Sequence, residues 1–239
     1  MILLLILGVF IGVIIVSYWL FMSPFSQVFG RYPWRVKINE KVVALTFDDG
    51  PNEPYTSEIA NFLEKKQIKA TFFQVGECIK RYPNVTKRLD NEGHVIGNHS
   101  AHHRFIDYLL HPSYKQEIIM NQAIIAKLIG KQPRLFRSPW LWRQPWLLRN
   151  LRKLSLQPVS GQFCHVFEIF QPAGQRIAKR TIAKIKPGTI IIFHDGYDAK
   201  GASRKQTVMA VKITVNELLN QGYKFVTVSE LLKIPAYIE

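Results

Sequence analysis

The stretch VVALTFDDGP, residues 42–51, decides the fold. Its first six residues are apolar or β-branched without a break, which suits a strand covered on both faces rather than one that alternates between core and solvent. Two carboxylates, Asp48 and Asp49, follow at once, and Gly50 and Pro51 end the run. A buried strand that stops at charged residues is what a parallel β/α architecture predicts, because there the carboxyl ends of the strands open on one functional face.

Outward from this strand the chain alternates short β-rich runs with segments whose apolar residues recur every three or four positions. Strands are expected at 70–75, 94–97, 135–136, 189–193 and 225–228. Helices are expected between them: one carrying Ile59, Phe62 and Leu63, one marked by Val85 and Leu89, and a long one from about 113 ended by Gly130. Three more are expected over 147–154, around 178–185, and along Val208, Val211, Val215 and Leu218. This rhythm predicts a parallel sheet, closed or nearly closed.

Residues 1–22 contain no charged side chain. As a helix they would reach about 33 Å, enough for a bilayer core of about 30 Å. Tyr18 and Trp19 sit where an interfacial aromatic belt belongs, and no small-x-small cleavage site precedes Pro24. The segment therefore reads as an uncleaved transmembrane anchor over 1–22, followed by a linker over 23–40 and one catalytic domain over 41–239. Arg31, Arg35, Lys37 and Lys41 follow the anchor, which by the positive-inside rule alone would keep the domain in the cytoplasm.

The 239 residues carry 32 Lys and Arg against 17 acids, a net charge of +15 that favours an anionic membrane surface or polymer. The cations are scattered and no nucleic-acid motif occurs, so no nucleic-acid partner is expected. Cys78 and Cys164 lie far apart and read as small core residues.

The polar residues that remain fall at strand ends. Asp48 and Asp49 end the first strand, His99 and His103 follow the third, Arg137 follows 135–136, and His194 and Asp195 end 189–193. A DD pair at a turn is by itself usually a cap or a solvated loop. Three polar clusters on separate strands, all at one end, are hard to explain by packing. The i, i+4 spacing of His99 and His103 is expected to put both rings on one side of a helical turn, and with an Asp oxygen they give the three-ligand pattern of a catalytic zinc or similar ion. His94, His102 and His111 receive no role.

With these residues in view the chain resembles the polysaccharide deacetylases of carbohydrate esterase family 4, the NodB-homology family, from about residue 42 to 232. Residues 46–51 (TFDDGP) are similar to the first motif and 99–103 (HSAHH) to the second, HSxxH. Pro187-Gly188 leading to His194-Asp195 is similar to the last motif, and 222–232 (GYKFVTVSELL) to the usual ending. The resemblance implies a deformed (β/α) barrel with an incomplete parallel strand ring, here preceded by one N-terminal transmembrane helix. It also implies hydrolysis of N-acetyl, or sometimes O-acetyl, groups on a polysaccharide or oligosaccharide. It implies one divalent metal ion, Zn2+ first with Co2+ or Mn2+ as alternatives, on Asp49, His99 and His103. Asp48 is then the general base, His194 the general acid, and Arg137 the residue that orients the base.

Two motifs depart from the family. Residues 137–141 (RSPWL) keep Arg137 and Pro139 of an RPPYG-like third motif, with Trp140 at the oxyanion N–H and Leu141 in place of Gly. The Asp-Trp pair of the fourth motif is missing, and counting 19 residues back from Pro187 puts Glu168 and Ile169 in its place. Glu168 is expected to do the work of that Asp one methylene further out. Trp142 and Trp146 suit either sugar stacking or packing. Glycans of this kind lie outside the plasma membrane, so a single-pass protein with an extracytoplasmic domain is expected, against the positive-inside signal. The rival expectation is an anchored barrel that kept its metal site but binds glycans without turnover.

Overall fold

The computed structural model describes residues 1–109 and 112–238, so His111 lies outside the described residues. The chain begins with helix α1 (Ile2–Phe21), uncharged throughout and exposed along its length up to Trp19. The segment 23–40 then runs against the domain instead of hanging free. Tyr32 is buried in it, the Val36 N–H donates to the Gly188 carbonyl, and Trp34 accepts from the Ile190 N–H.

The first strand, β1 (Val42–Asp48), is the centre of the molecule, and from Val43 on every residue in it is buried. Helix α2 (Tyr55–Lys65) buries Ile59 and Leu63 on one face and returns the chain to β2 (Thr71–Gln74). Two helices, α3 (Gly76–Arg81) and α4 (Pro83–Asn91), lead to β3 (Val95–Asn98). Helices α5 (Phe105–Leu109) and α6 (Pro112–Ile129) precede two-residue strands β4 (Gln132–Pro133) and β5 (Leu135–Phe136). After α7 (Leu147–Lys153) come β6 (Gln157–Pro158) and β7 (Gln162–Phe163), then α8 (Gly174–Ile182) and β8 (Ile190–His194). The chain closes with α9 (Lys205–Asn220), β9 (Lys224–Val226), α10 (Val228–Leu232) and β10 (Tyr237–Ile238).

Among the described residues the main sheet is parallel, in the order β6-β5-β3-β2-β1-β8-β7, with β9 paired to the first half of β1. It curls into a half-barrel that stays open between β6 and β7, the incomplete ring expected. Register matters for function. Asp48 stands level with Phe73 on one side and His194 on the other, and Asn98 is level with Gln74 and Phe136. The polar strand ends are therefore neighbours on one rim.

The core under this rim comes from three apolar groups. One joins β1, β2 and β8 to α2, α8 and α9 through Phe47, Phe72, Ile59, Val211 and Phe193. A second sits below residues 139–142 and includes Tyr108, Tyr114, Phe136, Leu147 and Leu151. The third plugs the amino ends of the strands with Val228 and Leu231 of α10. Strand β9 ends before the expected 228, because Thr227 accepts from the Glu230 N–H and its own N–H is taken by the Glu230 carboxylate, a reciprocal cap that starts α10.

Candidate active site

The metal-ligand candidates converge. Asp49 Oδ1 lies 3.2 Å from His99 Nε2 and 3.0 Å from His103 Nε2, and all three residues are buried. What aims the rings is the other nitrogen of each. His99 Nδ1 is 2.7 Å from the Arg137 carbonyl, an acceptor only, so the ring donates there and its Nε2 lone pair points at Asp49. His103 Nδ1 is 2.9 Å from Asp198 Oδ1 and is fixed in the same sense. One carboxylate and two outward-aimed imidazole nitrogens are the donor set of a divalent ion with open positions, so the residues present fit such a group.

The electrostatics agree. Burial alone would raise the pKa of Asp49, but the His103 and His99 rings overcome this and hold its carboxyl well below the usual range. Burial would likewise lower His103, yet Asp49 and Asp198 lift it to about 9. Asp49 is thus held as the carboxylate beside the two rings. This convergence does not come from a helical turn. Residues 99–103 are a loop, because Ser100 and His103 have left-handed backbones (φ 69° and 56°), while Asn98 Oδ1 accepts from the Ser100 N–H and Ser100 Oγ from the His103 N–H. Side-chain bonds to backbone outcompete the helix here.

Asp48 is buried beside this group and is held by Arg137, whose Nη1 donates to Asp48 Oδ1 at 2.6 Å and to Thr46 Oγ1 at 2.7 Å. The guanidinium is fully buried, donates through Nη2 to the Ser160 carbonyl and lies 4.1 Å over the Phe73 ring. The contact to Asp48 is a single charge-assisted hydrogen bond and not a bidentate fork, and it fixes Oδ1.

On the far side, His194 Nδ1 is 2.6 Å from Glu168 Oε2. Glu168 is buried on a short 3-10 turn (Glu168–Phe170), and its other oxygen accepts from the Thr207 hydroxyl and the His194 N–H. Burial would lower the pKa of His194, and the Glu168 carboxylate reverses this and raises it to about 9. The carboxylate beside His194 is thus Glu168, reached from the loop that carries no recognisable fourth motif.

Pro139 and Trp140 lie on a 3-10 turn (Pro139–Leu141) in which Trp140 takes φ 52°. The Trp140 ring packs 4.4 Å from that of His103, and with Leu141 it walls a cleft of about 450 Å³ that also exposes Asp48, Asp49, His99, His103, Glu168 and His194. That volume suits a small-ligand site. The two alternatives for Trp142 resolve toward packing, since its ring stacks on Phe21 at 5.3 Å and meets Phe105 at 5.2 Å.

Of the histidines given no role, His94 is buried and accepts from the Ala70 N–H, and His102 pairs with Glu117. Asp198, Tyr197 and Thr207 belong to the site and have no motif of their own. Tyr18 and Met22 of α1 and its end also line the cleft, which hydropathy along the chain has no means of showing.

The comparisons agree with this geometry. A family model described as polysaccharide deacetylase matches residues 35–159, more than half of the chain. A peptidoglycan-N-acetylglucosamine deacetylase from Bacillus cereus is 34% identical over 205 residues, covering 85% of this chain and 94% of that protein. A chitooligosaccharide deacetylase from Azorhizobium caulinodans is 28% identical over 198 residues, covering 79% and 93%. The crystal structure of a peptidoglycan N-acetylglucosamine deacetylase superposes with a TM-score of 0.79 at 28% identity, over 86% of this chain and 94% of the other. The peptidoglycan deacetylase PdaC from Bacillus subtilis does so with 0.70 at 32%, over 83% and 93%. With its curled parallel sheet, its first and second motifs at the strand ends and these relatives, the chain belongs to the polysaccharide deacetylase family, carbohydrate esterase family 4.

Proposed function

We propose that the chain is a metal-dependent deacetylase that hydrolyses N-acetyl groups, or O-acetyl groups, on a cell-wall-type glycan. The observation that carries this reading is the meeting of Asp49, His99 and His103 between two further pairs, Asp48 with Arg137 and His194 with Glu168. Asp49, His99 and His103 would hold one divalent ion, with Zn2+ favoured by the mixed nitrogen and oxygen donors and Co2+ or Mn2+ as alternatives. When bound, that ion would polarise the acetyl carbonyl and make a nearby water more acidic.

The chain's own residues supply the rest. Asp48, oriented by Arg137, would take a proton from the attacking water as its oxygen bonds to the acetyl carbon. The Trp140 N–H would support the oxyanion of the tetrahedral intermediate, with the indole as one wall of the acetyl pocket and Pro139 fixing the turn. His194, kept protonated by Glu168, would give its proton to the sugar nitrogen as the C–N bond breaks, leaving acetate and a free amine. Glu168 is thereby a positioning residue standing where the family has Asp.

The division into an anchor over 1–22, a segment over 23–40 and a catalytic domain over 41–239 is part of the proposal, as is a domain on the outer side of the membrane. Support for retention of α1 is that its end is built into the domain: the Arg143 N–H donates to the Phe21 carbonyl at 2.8 Å. The direct test is acetate release from an N-acetylglucosamine oligomer and from peptidoglycan, with and without a chelator. Release that stops on chelation and returns with Zn2+ is expected. Glycan binding without metal-dependent release would instead indicate the anchored binding barrel, with Leu141 and Glu168 as the altered positions.

A further inference from the structure

The wall of the catalytic cleft includes the end of the apolar helix. Tyr18 and Met22 line the same cleft as Asp48, His103 and His194. Tyr18 is three residues from the last residue of α1, an axial distance of about 4.5 Å. The headgroup layer on each side of a bilayer core is about 5–8 Å thick. If α1 spans, its length of about 30 Å is used up by the core, so Phe21 stands at the edge of the headgroup layer with Met22 just inside that layer and Tyr18 about 4.5 Å on the core side, and the cleft that Tyr18 and Met22 line opens across this boundary.

The joint is stiff. Besides the bond from Arg143 to Phe21, the Arg143 guanidinium donates to the carbonyls of Ser23 and Pro24, and the Ser160 hydroxyl donates to Pro24 at 2.7 Å. Phe21 stacks between Phe29 and Trp142. A flexible tether would let the cleft swing into the wall, whereas this joint holds it at one height.

The surface around the cleft suits lipid. Among the described residues, the large apolar side chains exposed after α1 lie in segments 25–28, 106–109 and 165–170 and at Trp146 and Tyr197, with Ile119, Met120 and Leu219 besides. Val166 and Ile169 line the cleft beside Tyr18, and Phe167 and Phe170, 60% and 75% exposed, follow on the same loop. Exposed apolar side chains grouped on one loop beside a cleft mark an interaction surface. Exposed Arg31 and Arg149 flank the close approach of Gly30 to Leu148, where anionic headgroups would neutralise them.

We infer that the mouth of the cleft is seated in the headgroup layer of the membrane that α1 spans, with loop 165–170 in the lipid, and that the substrate is an N-acetylated saccharide carried on a membrane lipid. This rests on the deacetylase and anchor readings above. A sugar attached to a lipid is confined to the layer in which the cleft lies, so its effective concentration there exceeds that of a free strand.

The test uses the full chain, loaded with Zn2+, in vesicles of phosphatidylcholine and phosphatidylglycerol. Phe170→Cys is labelled with a bimane fluorophore, selectively because Cys78 and Cys164 are buried, and Leu219→Cys serves as the distant control. Lipids brominated near the headgroup should quench the label at 170 and not at 219. An unquenched label at 170 overturns the inference whatever the activity. In parallel, acetate release is compared between a free N-acetylglucosamine tetramer and the same tetramer on a prenyl phosphate. The anchored sugar should turn over about tenfold faster or more. Phe167→Ser with Phe170→Ser should remove that advantage and leave the free tetramer's rate unchanged. Equal rates on both sugars overturn the substrate assignment, and no release from either, with the label quenched, overturns the deacetylase reading while the interfacial seat stands.

Discussion

Within the site each reactive histidine, and Asp48, is aimed by a hydrogen-bonded partner, and the partners can be removed one at a time. Glu168→Gln keeps the shape and takes away the charge that offsets the burial of His194. The pKa of His194 should then fall from about 9, and the alkaline limb of the kcat/KM profile should move to lower pH, since the acid form is lost earlier. The sign for stability follows from linkage. A histidine raised in the folded state adds stability that is whole below its ordinary pKa of about 6.5 and is lost as pH rises through the raised value. In Glu168→Gln that alkaline loss should disappear, which thermal melts from neutral pH to above 9 would reveal together with an NMR titration of the imidazole. Asp48→Asn should bind the cation as before and lose turnover by about 10²–10⁴, measured by acetate release beside metal content. Removing Arg137 leaves Asp48 buried with its charge unpaired, so Arg137→Ala should cost about 3–5 kcal/mol in denaturant unfolding.

Between residues and fold stand the loops that carry the ligands, and two glycines let them pass. A Cβ on Gly196 would lie 2.0 Å from the Asp49 carbonyl oxygen, and one on Gly50 would lie 2.1 Å from Asp195 Oδ2. Asp195, pushed up to about 7 by burial against the opposing hydrogen bond from Thr56, ties the start of α2 to the loop after β8, and its carbonyl accepts from the Asn52 side chain in the loop after β1. Gly196→Ala should displace Asp49, lowering cation affinity by about 10-fold or more and stability by about 1–3 kcal/mol, read by calorimetric titration and thermal melts. How much of this was legible follows from segment length. β1 and β8 are long apolar runs and stand within a residue of where the sequence places them, and Asp48, Asp49 and His194 stand at their ends. β6 and β7 have two residues each, and both begin with a glutamine where the equally short β5 shows an apolar pair, while α3 begins at a glycine. His99 and His103 were legible as a pair, though not through the helical turn that their spacing suggested, and the loop that brings them together depends on Asn98 and Ser100. Asp198 and Thr207 act through contacts 95 and 39 residues away in sequence, which no local pattern encodes.

At the scale of the whole molecule, the half-barrel and its apolar helix are one object. The helix was legible from hydropathy as a long apolar segment, but its stacking on Trp142 and its share in the cleft arise only from folding. Phe21→Ala should loosen that joint, and hydrogen exchange in residues 139–143 should rise in vesicles as a result. Protease added to intact cells should digest residues 41–239, which an inward-facing domain would resist. The central claim is that one cation shared by Asp49, His99 and His103 drives the chemistry. It is tested most directly by metal content of the purified full chain after Zn2+ loading, for the native protein and for Asp49→Ala, His99→Ala and His103→Ala, with X-ray absorption at the zinc edge. One Zn2+ per chain with two nitrogen ligands from imidazole, lost in each variant whose fold persists, is the predicted result, and equal loading in the native protein and all three variants would contradict it.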